Sequence, residues 1–237
     1  METRLDEVEA SLGESPLWPT AAIVAAAGLY VDLPSRFIAG SSAGAFSVVR
    51  WVVPALTVVL LAALVVTVPA GPLMRSLEWG ERQLRVTRRW LAIGLIGVLS
   101  AANGASIILL IHLLVNGASA NAPVLLRAAV HMWVVNVLVF ALWFWQLDGG
   151  GPLERPKCAP HARDFLFPQQ TEPALLAGGW QPKFLDYLFV SFTNSSAFSP
   201  TDALPLSRWA KMLMLVQSSI SLSLAVMVVA RAVNILK

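Results

Sequence analysis

Of 237 residues, 57% are apolar and 13% carry formal charge, and the mean hydropathy is +0.67. A soluble domain averages roughly 45–50% apolar and 25% charged residues, so these totals exclude a disordered chain, a collagen-like repeat, a disulfide scaffold and an ordinary soluble enzyme. The one cysteine, Cys158, leaves no internal disulfide to form. The 17 Lys and Arg against 14 Asp and Glu sit between apolar runs and make no aromatic-lined basic face, so nucleic acid is not an expected partner and the lipid bilayer is.

Residues 1–16 are polar, with Glu2, Asp6, Glu7, Glu9 and Glu14 against Arg4 alone. A cleaved signal would begin with a basic region, so the first apolar stretch is expected to remain. Crossing a hydrocarbon core takes roughly 20 helical residues. Leu17 to Leu33 is the weakest candidate, with Pro19 near its start and Asp32 at its end. Val48 to Val68 is the second. Trp90 to Val115 is free of formal charge and stops at Asn116-Gly117, a helix-ending pair. Val124 to Leu147 finishes in Trp143, Phe144 and Trp145, an interfacial aromatic cluster. Trp209 to Ala230 is the last.

The connectors differ in kind. Pro72 to Arg89 reads as a surface helix, because Glu78 with Arg82 and Glu81 with Arg85 stand at i,i+4 while Leu73, Leu77 and Leu84 can face inward. Residues 148–183 open on Gly149, Gly150, Gly151 and Pro152 and read as an irregular extramembrane loop. Phe184 to Phe192 is apolar but too short to cross, and the polar stretch Thr193 to Asp202 follows it. It is either a re-entrant segment, tolerated only where protein or a wet cavity surrounds it, or an interfacial helix. The expected fold is all-α: a polytopic membrane helix bundle of about five transmembrane helices with this short helix before the last span. Its parts are a polar segment at 1–16, a four-span bundle at 17–147 with a surface helix at about 72–89, the loop at 148–183, and a pore-loop-like helix with the final span at 184–237.

Catalytic and metal chemistry find little footing. Gly40-Ser41-Ser42-Ala43-Gly44 matches G-x-S-x-G, and Asp148-Gly149-Gly150 resembles the Asp-Gly pair of patatin-like lipases. A nucleophile elbow needs a strand before it and a helix after it on an α/β sheet, and five spans leave too few residues for one. His112, His131 and Cys158-Ala159-Pro160-His161 lack the clustered three or four ligands of a metal site. No catalytic residue, metal or cofactor is therefore expected. Ionisable and amide groups at membrane depth are functional candidates by default, which singles out Arg127, His131, Asn136 and Asn103. Arg127 can also snorkel to the interface, with His131 a packed neutral residue. Ser100-x-x-x-Gly104 and Gly97-x-x-x-Ala101 suit close helix packing, and Gln217, Ser221 and Ala225 share a helix face that either packs or lines a wet cavity.

Tyr187, Phe189, Ser191-Phe192-Thr193 and Asp202-Ala203-Leu204-Pro205-Leu206-Ser207-Arg208 together resemble the two-transmembrane potassium-channel module, with its aromatic Phe-Ser-x-x-Thr and its post-filter Asp-x-x-Pro-x-Thr followed by Arg. The resemblance covers roughly the last third of the chain and implies outer helix, pore helix, filter and inner helix in that order. Thr193, Asn194, Ser195, Ser196, Ser199, Gln217 and Ser221 become the pore-lining candidates. Where such channels carry Thr-Val-Gly-Tyr-Gly, this chain has Ser195-Ser196-Ala197-Phe198-Ser199-Pro200. A potassium filter needs glycine backbone angles, Pro200 fixes φ and Phe198 disfavours positive φ, so selective potassium conduction by that mechanism is not expected. Over its whole length the chain resembles a family of uncharacterised bacterial multi-span membrane proteins, through Phe184 to Thr193, Ser199-Pro200-Thr201-Asp202, Pro205 to Arg208 and Ala232 to Leu236. That implies a multi-pass protein of the bacterial cytoplasmic membrane and brings no activity with it.

With five spans, twelve basic residues (Arg4, Arg75, Arg82, Arg85, Arg88, Arg89, Arg155, Lys157, Arg163, Lys183, Arg208 and Lys211) fall on one side and five (Arg36, Arg50, Arg127, Arg231 and Lys237) on the other. Positive-inside then puts the long loop in the cytoplasm and the carboxyl terminus outside, the reverse of what the channel resemblance implies. The expected function is a homo-oligomeric, degenerate channel-like module passing ions or small solutes with weak selectivity. The alternatives are a non-conducting scaffold or partner-binding membrane protein and, more remotely, a membrane serine hydrolase using Ser42.

Overall fold

The computed structural model describes residues 17–31, 54–59, 81–115, 122–159, 162–172, 174, 180–196 and 203–235. Helix dominates the described residues. Helix α1 is Leu17–Val31, α2 is Glu81–Val115, α3 is Ala122–Leu147, α4 is Phe184–Ser196 and α5 is Arg208–Ile235. Segments Val86–His112, Leu126–Gly150 and Arg208–Ala230 are long and apolar enough to cross a membrane. The first expected span is a shorter apolar helix, Leu17–Leu29, and most of the second lies outside the described residues, of which 54–59 are helical.

Two boundaries depart from the sequence expectation. Residues 81–89 are the first turns of α2 and run without a break into the span, while 72–80 lie outside the described residues. No glycine or proline interrupts Glu81 to Leu91, and Arg, Gln and Leu are good helix formers, so nothing ends a surface helix there. Likewise α4 does not stop at Phe192 but continues through Ser196. The Thr193 hydroxyl donates back to the helix carbonyls of Phe189 and Val190 at 2.9 and 3.0 Å, a bonding compatible with the helix, and the Asn194 and Ser195 side chains bond to α5 and do not compete for their own backbone.

Helix α3 is the axis of the bundle, touching α1, α2, α4 and α5. Ala22, Ile23 and Ala26 of α1, Leu95, Ile96 and Leu99 of α2, Val135, Val139 and Leu142 of α3, and Phe184 form one buried cluster. Phe140, Phe144, Phe165, Phe167, Tyr187, Val190, Ala203 and Ala210 form a second, aromatic one at the carboxyl end of α3. Beyond α3 the chain reverses through Gly149, Gly150 and Gly151, at φ of 59°, 85° and 102°. The left-handed region is open to glycine at little cost, so the triplet makes a sharp exit from the helix. The loop that follows is not featureless: β1, Phe165–Leu166, pairs antiparallel with β2, Leu204–Pro205, in the register Phe165↔Pro205 and Leu166↔Leu204. This short pairing is the one addition to an otherwise helical architecture among the described residues.

The path of α4 positions everything else. Its first turn is closed by Asp186, whose carboxylate accepts the Lys183 N–H at 2.6 Å, and Phe184 packs edge-on against Trp145 at the end of α3. By Ser191 the helix has reached the Val137 carbonyl, at 2.6 Å, about two turns or roughly 12 Å back along α3 from Trp145. Ala203 is again packed with Phe165 and Tyr187, and the Leu206 N–H donates to the Asp164 carbonyl at 2.8 Å. The chain therefore enters the bundle at the Asp148 end, descends to the middle of α3 and α5, and is back at the same end by Ala203.

Candidate functional site

Polar side chains meet where α4 ends. The Gln217 amide nitrogen donates to the Ser191 carbonyl at 3.0 Å, the Ser191 hydroxyl at 2.6 Å and the Ser195 hydroxyl at 2.7 Å. Its oxygen accepts from Asn194 Nδ2 at 2.8 Å, and Asn194 also donates to the Met214 carbonyl at 2.9 Å. The Ser218 hydroxyl donates to Asn194 Oδ1 at 3.0 Å, and Asn136 Nδ2 donates to Ser221 Oγ at 3.1 Å. Gln217, Asn136 and Ser191 have no exposed surface. Asn136 Oδ1 is buried without a partner, and the other side-chain amide groups of the network are engaged, so that it holds three helices in register.

Of the pore-lining candidates, Asn194, Ser195, Gln217 and Ser221 are brought together here. Thr193 is buried but bonds only within its own helix, Ser196 is half-buried, and Ser199 lies outside the described residues. Ser191, Ser218 and Asn136 complete the network. The first two were not among the pore-lining candidates, although the i,i+4 spacing of Ser191 and Ser195 on an otherwise apolar helix is a readable signal. Ala225, expected on the Gln217 face, is exposed, and Leu224 is buried in its stead. Among the intramembrane candidates, Asn103 is buried, His131 is half-buried, and Arg127 is exposed at the start of α3, where a snorkelling arginine belongs. Adding a Cβ at Gly97 or Gly104 meets nothing within 4 Å, so these glycines mediate no close helix approach among the described residues. Ser100 instead accepts a 2.8 Å bond from Trp143 Nε1.

A second polar cluster closes the Asp148 end. Asp148 Oδ1 accepts the N–H groups of Asp164 and Phe165 at 2.8 and 3.1 Å, and Oδ2 accepts the Tyr187 hydroxyl at 2.5 Å. Arg155 Nε lies 3.5 Å from Oδ2 with both side chains buried, and its guanidinium stands 4.6 Å over the Tyr187 ring. The same guanidinium donates to the carbonyls of Pro182, at 3.2 Å, and Trp145. Asp148 thereby ties the end of α3 to the long loop, to α4 and, through β1, to the start of α5. Burial pushes the Tyr187 phenol well above the ordinary tyrosine range; Arg155 works against this, and the Asp148 carboxylate and its hydrogen bond add to it. Sequence reading missed this cluster because Asp148 stands next to a glycine run and looked like loop.

Ser42 of the G-x-S-x-G match lies outside the described residues, and no group of three metal-capable side chains is found among the described ones. No family model matches the chain, and neither a curated protein nor a solved structure is found to be similar to it.

Proposed function

We propose that this is a multi-pass protein of the bacterial cytoplasmic membrane that does not conduct, and that it serves as a scaffold or partner-binding protein in which α4 is a re-entrant plug. The observation that carries the reading is the Gln217 carboxamide: its donor and acceptor are both engaged by α4, and it is fully buried. Residues that line an aqueous path must offer polar groups to water, and these are turned to one another. Backbone that enters and leaves a bilayer from one side is tolerated where protein surrounds it, and α3 and α5 flank α4. Purified protein reconstituted in planar bilayers is expected to stay silent across voltage and pH, while Ser195→Ala lowers stability. Reproducible unitary currents altered by Ser195→Ala refute the proposal.

One observation favours a second reading, a weakly selective pore in a homo-oligomer. Helix α5 is exposed along most of its length, at Met212, Val216, Leu222, Val226 and Val229, as a helix awaiting neighbours would be. Single-channel currents together with a defined oligomer in detergent would support that reading over the first.

A further inference from the structure

Arg163 is 5% exposed, yet only one of its guanidinium nitrogens is engaged: Nη2 donates to the Arg155 carbonyl at 3.1 Å, the Cys158 carbonyl at 3.3 Å and Gln181 Oε1 at 2.9 Å. Nε and Nη1 are buried with no acceptor. The buried carboxylate of the neighbouring cluster cannot serve, because both Asp148 oxygens are occupied by Asp164, Phe165, Tyr187 and Arg155. Arg155 is thus matched by Asp148, and among the described residues Arg163 is bonded to neutral carbonyl oxygens. A buried guanidinium with two N–H-bearing nitrogens unpartnered and no carboxylate bonded to it among the described residues is strongly unfavourable. Gln181, an exposed side chain, is the one partner of Arg163 that can swing away without moving backbone.

We infer that Arg163 is the centre of a binding site for a phosphate-type oxyanion, admitted by displacement of Gln181. Guanidinium N–H groups match phosphate oxygens in charge and geometry. The anion's source is either free phosphate or the headgroup of an anionic lipid, and the site is independent of whether the bundle conducts.

The test is thermal unfolding of the full chain in nanodiscs, followed by tryptophan fluorescence. In phosphatidylcholine discs titrated with inorganic phosphate, a rise that grows with the logarithm of phosphate concentration and reaches about 3–6 °C at roughly tenfold excess over the dissociation constant indicates a free-anion site. A rise of that size only on replacing part of the phosphatidylcholine with phosphatidylglycerol indicates a lipid headgroup. R163Q abolishes the shift, and R163K, which keeps the charge with fewer donors, weakens it and decides the matter if R163Q fails to fold. The inference is overturned by a wild-type chain that responds in neither arm, or by a shift unchanged in the folded Arg163 variants.

Discussion

Gln217 of α5 and Ser191 of α4 are joined twice, through the serine carbonyl at 3.0 Å and its hydroxyl at 2.6 Å, with both residues wholly buried. Interhelical hydrogen bonds in membranes are worth about 0.6 kcal/mol on average and up to about 1.7. Gln217→Leu strips partners from Ser191, Ser195 and Asn194 together and is expected to cost about 2–3 kcal/mol. Ser221→Ala, which removes one bond to Asn136, is expected to cost about 0.5–1.5 kcal/mol. Ser219→Ala and Ser223→Ala, at exposed positions where each hydroxyl bonds back to its own helix, should stay within about 0.5 kcal/mol. Reversible unfolding in mixed micelles measures all four, and equal effects at interior and exposed serines would refute a packed network.

That interior was half legible in the sequence. Polar residues on apolar helices stand out, so Gln217, Ser221, Asn194 and Asn136 were visible as candidates, but periodicity says which face a residue occupies and not what faces it. Whether that face met water or α4 depended on how far α4 descends, and its length was misjudged because the hydroxyl run Thr193 to Ser196 has the composition of a loop. Trp90 to Val115, Val124 to Leu147 and Trp209 to Ala230 were clear, since twenty apolar residues leave the backbone one choice. The Asp148 cluster was hidden because its members come from the end of α3, the loop and α4, and no local pattern links them.

At that cluster, Asp148→Asn keeps the shape and removes the charge, leaving Arg155 buried without its carboxylate. Breaking a buried ion pair from one side costs about 3–5 kcal/mol, much of it from the stranded partner. Asp148→Asn is expected to fall in that range, and adding Arg155→Leu should recover part of the loss, because no charge is then left unmatched. A double-mutant cycle by thermal unfolding gives the coupling. Strict additivity of the two substitutions would show that the pair, 3.5 Å apart, is not energetically coupled.

Tyr187 makes the same region sensitive to alkali. Its phenol is held protonated by burial well above the pH, near 10, at which an unfolded tyrosine ionises. Above that pH the unfolded chain binds fewer protons than the folded one, so this contribution is intact below about 10 and is lost as pH rises through the folded value. The chain has two tyrosines, Tyr30 and Tyr187. Tyrosinate absorbance should show Tyr187 ionising only with unfolding, and Tyr187→Phe should lose the part of the alkaline instability that comes from this group. Reversible ionisation of both tyrosines near pH 10 with the fold intact would contradict the buried placement.

The glycines separate into two kinds. Gly151 has φ of 102°, and a Cβ there would stand 3.0 Å from the Gln146 carbonyl oxygen; at Gly149, with φ of 59°, the nearest atom is Arg155 Cγ at 3.3 Å. Gly151→Ala should cost about 1–3 kcal/mol and Gly149→Ala less, since a side chain can yield where a helix carbonyl cannot. Gly97→Ala and Gly104→Ala, with open space around them, should be neutral or stabilise by up to about 1 kcal/mol through helix propensity. A loss at Gly97 or Gly104 would locate a helix contact made outside the described residues.

Orientation decides between the charge pattern and the channel resemblance. A Cβ at Gly150 would lie 3.9 Å from the Arg89 guanidinium, so the start of α2 stands beside the end of α3. The paired strands bring the residues before α5 to that end too. Arg88, Arg89, Arg155, Arg163, Lys183, Arg208 and Lys211 therefore share one end of the bundle whatever the number of preceding spans. The opposite end holds Arg127 at the start of α3 and the carboxyl terminus of α5. If the bundle crosses the bacterial cytoplasmic membrane as proposed, positive-inside predicts that the first end faces the cytoplasm. Paired reporters fused after Lys237, one active only in the cytoplasm and one only in the periplasm, should accordingly give a periplasmic signal. Shifting the balance, with Arg82, Arg85, Arg88 and Arg89 neutralised together, should reduce that signal. A cytoplasmic carboxyl terminus in the unaltered chain would mean that α5 crosses with its basic start outward, as an inner helix of the channel module does, and would count for the pore reading over the plug.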